Sequence, residues 1–180
     1  MKNNIVLIGF MGCGKTTVGK ELAKALEYRF VDTDEFIETQ TKKSISDIFA
    51  TQGEEYFRIL ETDTIANMRD TLNCCVISTG GGLPLREVNA GILLKTGFVV
   101  YLRVQKETVE ERLRGDTKRP LLQGGQVSEK IEKLLTYRDP IYECGAHMVL
   151  DVDEKSIEEL VEEIIRNYKL LHAKEEEESV

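Results

Sequence analysis

The stretch IVLIGFMGCGKTT, residues 5–17, decides the fold. Four apolar residues, Ile5–Ile8, run straight into Gly9-Phe-Met-Gly-Cys-Gly14-Lys15-Thr16, which fits G-x-x-x-x-G-K-[ST]. An amphipathic segment, Lys15–Leu26, follows with Val18, Leu22 and Ala25 on one face. Strand, glycine loop and helix in that order form a phosphate cradle. Glycines let backbone N–H groups curl around an anion, and the helix N-terminus adds positive potential. Lys15 then reaches the β- and γ-phosphates of a nucleotide, and the Thr16 hydroxyl meets its Mg²⁺.

Outward from the loop, short apolar runs alternate with 3.6-period segments. The spacing predicts strands at Arg29–Val31, Val76–Ser78, Phe98–Leu102 and Met148–Leu150 beside Ile5–Ile8. Helices are predicted at Lys15–Leu26, Glu54–Met68, Lys106–Arg114, Ser128–Arg138 and Ile157–Leu170. Ser156 and Glu159 make a capping box for the last of these. This alternation implies a three-layer α/β fold, with ligands beyond the carboxyl ends of the strands. A single domain over residues 1–170 and a frayed acidic tail over 171–180 are expected.

Composition narrows the functional classes. The formal charge is −8 over 180 residues, which disfavours nucleic acid and anionic membrane surfaces. No apolar run reaches the roughly 18 residues that span a bilayer. The opening MKNNIVLIGFMG reads as a strand entering a loop rather than as a leader. Cys13, Cys74, Cys75 and Cys144 lack metal-ligand spacing and are expected to be reduced thiols of a cytoplasmic protein. His147 and His172 are isolated and receive no role.

The other candidates are polar residues beside strand ends. Asp32 and Asp34 could order a Mg²⁺ shell and accept a hydrogen bond from a substrate hydroxyl, or could simply cap a helix. Arg58, next to the core residue Phe57, could grip a carboxylate from a rigid helix, and Arg138 could supply a second contact. Thr79-Gly-Gly-Gly82 suits close backbone approach to a ligand. The basic segment from Arg112 to Gly125 suits a lid that brings an arginine over phosphates, or is an ordinary exposed loop.

Together these segments resemble shikimate kinase, in order, from about Ile5 to Leu150. The matching motifs are GFMGCGKTTVG at 9–19, DTD at 32–34, FATQGEEYFRILE at 49–61, TGGG at 79–82, KRPLL at 118–122 and YRDPIY at 137–142. The resemblance implies a P-loop NTPase fold of the nucleoside-monophosphate-kinase type, with a five-stranded parallel sheet and a mobile lid at about 112–125. It implies transfer of the γ-phosphoryl of MgATP to the 3-hydroxyl of shikimate, in a cytoplasmic monomer.

By position, Gly12, Cys13, Gly14, Lys15, Thr16, Thr17, Arg112 and Arg119 would hold ATP. Thr16, and Asp32 through water, would hold Mg²⁺. Asp34, Arg58, Gly80, Gly81, Gly82 and Arg138 would hold shikimate, within a binding region at about 32–61 and beyond it. Lys15, Asp34 and Arg119 would be catalytic, with Asp34 as base. Asp151–Asp153 would border the adenine. Cys13 stands where the family more often has Ser or Ala, and a thiol among loop N–H groups is expected to alkylate readily unless ATP shields it. The residues alone leave two other readings open: a kinase for another small hydroxy acid such as gluconate, and a non-catalytic nucleotide-binding regulator.

Overall fold

A computed structural model describes residues 2–114 and 127–178, with side chains to residue 173. The element order is β1 (Ile5–Ile8), α1 (Lys15–Leu26), β2 (Arg29–Asp32), α2 (Thr33–Thr41), α3 (Ile45–Thr71), β3 (Cys75–Ser78), a 3-10 turn (Leu83–Leu85), α4 (Glu87–Thr96), β4 (Phe98–Arg103), α5 (Lys106–Arg112), α6 (Val127–Cys144), β5 (Met148–Asp151) and α7 (Ile157–Glu178).

The strands form one parallel sheet in the order β2-β3-β1-β4-β5. Ile5 pairs in register with Val76 on one side and Phe98 on the other, so β1 is central. All four of its side chains are fully buried. A strand covered on both faces needs apolar residues at every position, which is why IVLI does not alternate. Helix α1 lies against β1–β3 and against α7, while α4 and α6 lie against β4. The strand order switches direction beside β1, so a cleft opens there at the carboxyl ends of the strands.

The five predicted strands are present, each within a residue at its ends. The helices differ more. The predicted Glu54–Met68 is the second part of α3, whose first part begins at the cap Ser44 and breaks at Gly53, with φ 82° and ψ 170°. Helix α4 was not foreseen. Its buried face carries Asn89 and Thr96 with Leu93, so its pattern is not an apolar stripe. Asn89 Nδ2 donates there to the Leu83 carbonyl at 2.9 Å, while its Oδ1 is buried without a hydrogen-bond partner among the described residues.

The Ser156–Glu159 capping box forms as expected, through bonds of 2.8 and 3.2 Å. Helix α7 does not stop at Leu170; it continues to Glu178, through most of the expected tail. Lys and Glu are good helix formers, and no breaker intervenes.

Candidate active site

The glycine loop turns between β1 and α1 through three residues of positive φ: Gly9 at 143°, Gly12 at 80° and Gly14 at 97°. At Gly9 a Cβ would sit 2.6 Å from the Leu102 carbonyl oxygen, so the backbone of β4 also demands glycine there. Gly14 caps α1 without a side-chain bond, and the first turn of α1 carries no acid. Its N–H groups therefore face a cleft of about 500 Å³, which Thr16 and Thr17 also line. Lys15 Nζ donates to the carbonyls of Gly9 and Phe10 at 2.9 and 3.0 Å, holding its charge at the loop. Arg112 reaches over from α5 and donates to the Gly12 carbonyl at 2.9 Å.

The Cys13 side chain is 1% exposed and belongs to the core, with Sγ 3.6 Å from Lys15 Nζ. The loop wraps around the thiol, so the ready alkylation expected from the sequence would have to reach a buried sulfur.

Asp32 is the last residue of β2 and the cap of α2. Its Oδ1 accepts from the backbone N–H groups of Asp34 and Glu35 at 3.0 and 3.3 Å, and its Oδ2 accepts from the Ser78 hydroxyl at 3.0 Å. The capping reading is thus correct, and Asp32 lines the cleft as well. Asp34 sits in the first turn of α2 rather than on an extended chain. It reaches the same cleft because the helix begins at the strand end. Between the two, the hydroxyl of buried Thr33 accepts from the Gly80 N–H at 2.9 Å.

Past the glycine loop the cleft meets Gly80–Gly82. A Cβ on Gly80 would lie 2.5 Å from Asp34 Oδ1, and one on Gly82 would overlap the Arg58 guanidinium. Arg58 projects from α3 between Glu54 and Glu61, bonded to them at 2.8 and 2.7 Å. Burial pushes the Glu61 carboxyl up to about 7, against the pull of Arg58. On the opposite side, α6 contributes Arg138, 5% exposed, with its guanidinium 5.5 Å over the Phe10 ring. Arg138 Nε is buried without a hydrogen-bond partner among the described residues. A buried guanidinium with an unused donor is suited to an anionic ligand.

The structure therefore gathers Gly12–Thr17, Asp32, Asp34, Gly80, Gly81 and Arg112 about one cleft, with Arg58 against Gly82 and Arg138 over Phe10 of the glycine loop. Arg119 and the lid segment from residue 115 to 125 lie outside the described residues. The Asp151–Asp153 stretch reaches the cleft through its middle residue. Asp151 pairs with Arg103 at 2.5 Å and Asp153 accepts from the Gln105 N–H, so the side chain lining the cleft is Val152 between them. Alternation along the strand exit turns the two acids away together.

Sequence reasoning assigned no role to Glu61, Ser78 or Tyr142. Glu61 had a readable signal, an acid three residues after Arg58 on a helix. Ser78 had none, because its partner Asp32 is 46 residues distant.

Among known proteins, the family model described as shikimate kinase matches residues 11–169. A shikimate kinase of Dictyoglomus turgidum is 41% identical over 172 residues, covering 94% of this chain and 99% of that one. That of Thermodesulfovibrio yellowstonii is 45% identical over 168 residues, covering 93% and 96%. The solved shikimate kinase from Acinetobacter baumannii, in complex with shikimate, superposes with a TM-score of 0.87 at 36% identity, covering 97% of this chain and 95% of that one. A gluconokinase from Sinorhizobium meliloti, at 20% identity and a TM-score of 0.56, shares the fold.

Proposed function

This chain belongs to the shikimate kinase family, and from that premise we propose how its residues carry the γ-phosphoryl of ATP to the 3-hydroxyl of shikimate. The products are ADP and shikimate 3-phosphate, with the hydroxyl proton released. The observation that carries the reading is the acceptor end of the cleft. Asp34, Gly80 and Gly81 line the cleft, Arg58 lies against Gly82 next in the chain, and buried Arg138 lies over Phe10 of the glycine loop. Two arginines and a side-chain-free loop suit a small carboxylate-bearing ring. A carboxylate beside them suits a hydroxyl that must be oriented for attack.

Gly12–Gly14 and the first turn of α1 would hold the triphosphate, with Lys15 neutralising the transferred group and Thr17 and Arg112 flanking the nucleotide. Asp34 would accept the hydrogen bond of the attacking hydroxyl and take its proton. Arg58 and Arg138 would fix the shikimate carboxylate. Arg119, carried by the lid, would stabilise charge in the transition state.

The site also fits Mg²⁺. Its donors are hard oxygens, the Thr16 hydroxyl and the Asp32 carboxylate. No cluster of three His, Cys, Asp or Glu stands ready to cage an ion among the described residues. Mg²⁺ is ordinarily held in this way, by one or two protein groups with phosphates and water. Asp32 already spends both oxygens on Ser78 and the α2 cap, which favours contact through water. The bound ion would supply charge neutralisation at the β- and γ-phosphates.

A monomer is the assembly this reading takes. No described helix is long and apolar enough to cross a membrane, and a cytoplasmic enzyme acting on two soluble metabolites fits this reading. One coupled assay tests it: ADP release with shikimate, against gluconate, quinate and nucleoside monophosphates. Release that depends on shikimate alone is expected. Release with gluconate instead would move the chain to another acceptor.

A further inference from the structure

The Gly80–Gly82 loop is held by an unusually complete set of bonds. Its three carbonyls all accept: Gly80 from the Leu83 N–H at 3.1 Å, Gly82 from the Leu85 N–H at 3.2 Å, and Gly81 from the Tyr142 hydroxyl at 2.6 Å. The Gly80 N–H is committed to Thr33. Among the described residues, the N–H groups of Gly81 and Gly82 have no such partner, and Gly82 lies against the Arg58 guanidinium.

Two of these carbonyl bonds are local turns. The third is made by a residue 61 positions away on α6. Tyr142 is fully buried, and its ring lies 5.1 Å from that of Tyr101, whose own hydroxyl is fixed by Asp139 at 2.6 Å. Burial pushes the Tyr142 phenol up to about 12, so it keeps its proton and donates throughout the working range.

A trans peptide is planar, and its C=O and N–H point in opposite directions. Whatever holds the Gly81 oxygen therefore aims the Gly82 N–H. We infer that Tyr142 is a positioning residue for the acceptor: by holding the Gly81 carbonyl towards α6, it turns the Gly82 N–H away from α6 to join Arg58 in binding the shikimate carboxylate. Arg138 precedes Tyr142 by four residues on the same helix, so one face of α6 supplies both a direct grip and the orientation of its neighbour. A glycine peptide has few steric restraints of its own, which is why it needs an external one.

The inference rests on the shikimate reading, and turnover of the parent enzyme with shikimate tests that reading separately. Tyr142→Phe keeps the ring and removes the bond. It is expected to raise the KM for shikimate about tenfold, as for one lost hydrogen bond, with the KM for ATP within about twofold of the parent. Tyr168→Phe, which removes a buried hydroxyl remote from the cleft, is the control and should change neither. A shikimate KM within twofold of the parent in Tyr142→Phe, or an equal rise in both constants, overturns the inference. The parent protein gives a second test that needs no variant. Shikimate should move the Gly82 amide proton downfield in a ¹⁵N–¹H spectrum, and an unmoved Gly82 amide also overturns it.

Discussion

Glu61 lies 2.7 Å from Arg58, one turn away on α3, and only 1% of its side chain meets solvent. Burial and the neighbouring Asp34 hold its carboxyl at about 7, against an ordinary 4.5, even though Arg58 favours the ionised form. Between those two values the unfolded chain releases this proton and the folded chain keeps it. Stability from this group is thus full below about pH 4.5 and falls as pH rises towards 7, by about 3 kcal/mol. Glu61→Gln should remove that slope. Thermal melts of both proteins at intervals from pH 5 to 7.5 measure it, and parallel curves would refute the assignment.

Arg58 should matter to one substrate only. Its guanidinium lies against Gly82 at the acceptor end of the cleft. Arg58→Ala is expected to raise the KM for shikimate by roughly 30- to 100-fold, the cost of a charge-assisted pair, with little change for ATP. Steady-state kinetics with each substrate varied in turn decide it. A matched effect on ATP would move Arg58 out of the acceptor site.

Asp34 carries a different expectation, loss of turnover without loss of nucleotide. Asp34→Asn should reduce kcat by about 10²–10⁴ while ATP binding by calorimetry persists. Gly80→Ala should lower kcat in the same direction, because its Cβ would stand 2.5 Å from Asp34 Oδ1 and displace the carboxylate. Near-normal turnover in Asp34→Asn would rule out an essential carboxylate there.

The cysteines should divide by burial. Cys74 and Cys144 are exposed, whereas Cys13 and Cys75 are buried. Brief treatment with iodoacetamide should label the first pair before the second, with ATP making little difference to Cys13. Peptide mass spectrometry reads the order. Early, ATP-sensitive labelling of Cys13 would restore the reactive, ATP-shielded thiol that the sequence suggested.

The architecture was largely legible because its signals are local. Ile5–Ile8 and Gly9–Thr16 announce a buried parallel strand and a phosphate loop within a dozen residues, and Ser156 with Glu159 announces a helix start. What stayed hidden depends on partners distant in sequence. Asn89 looks misplaced on a core face until the Leu83 carbonyl is beside it. The choice of Val152 over its acidic neighbours turns on Arg103 and Gln105. The burial of Cys13 was hidden because a glycine loop looks open as a string, whereas folded it closes over its own side chain.

The triple glycine has one further consequence. A Cβ on Gly81 would lie 3.4 Å from the Gly9 carbonyl oxygen, so the two loops touch back to back. The two loops therefore line one cleft with no side chain at residue 81 to stand between the substrates, so donor and acceptor can meet directly.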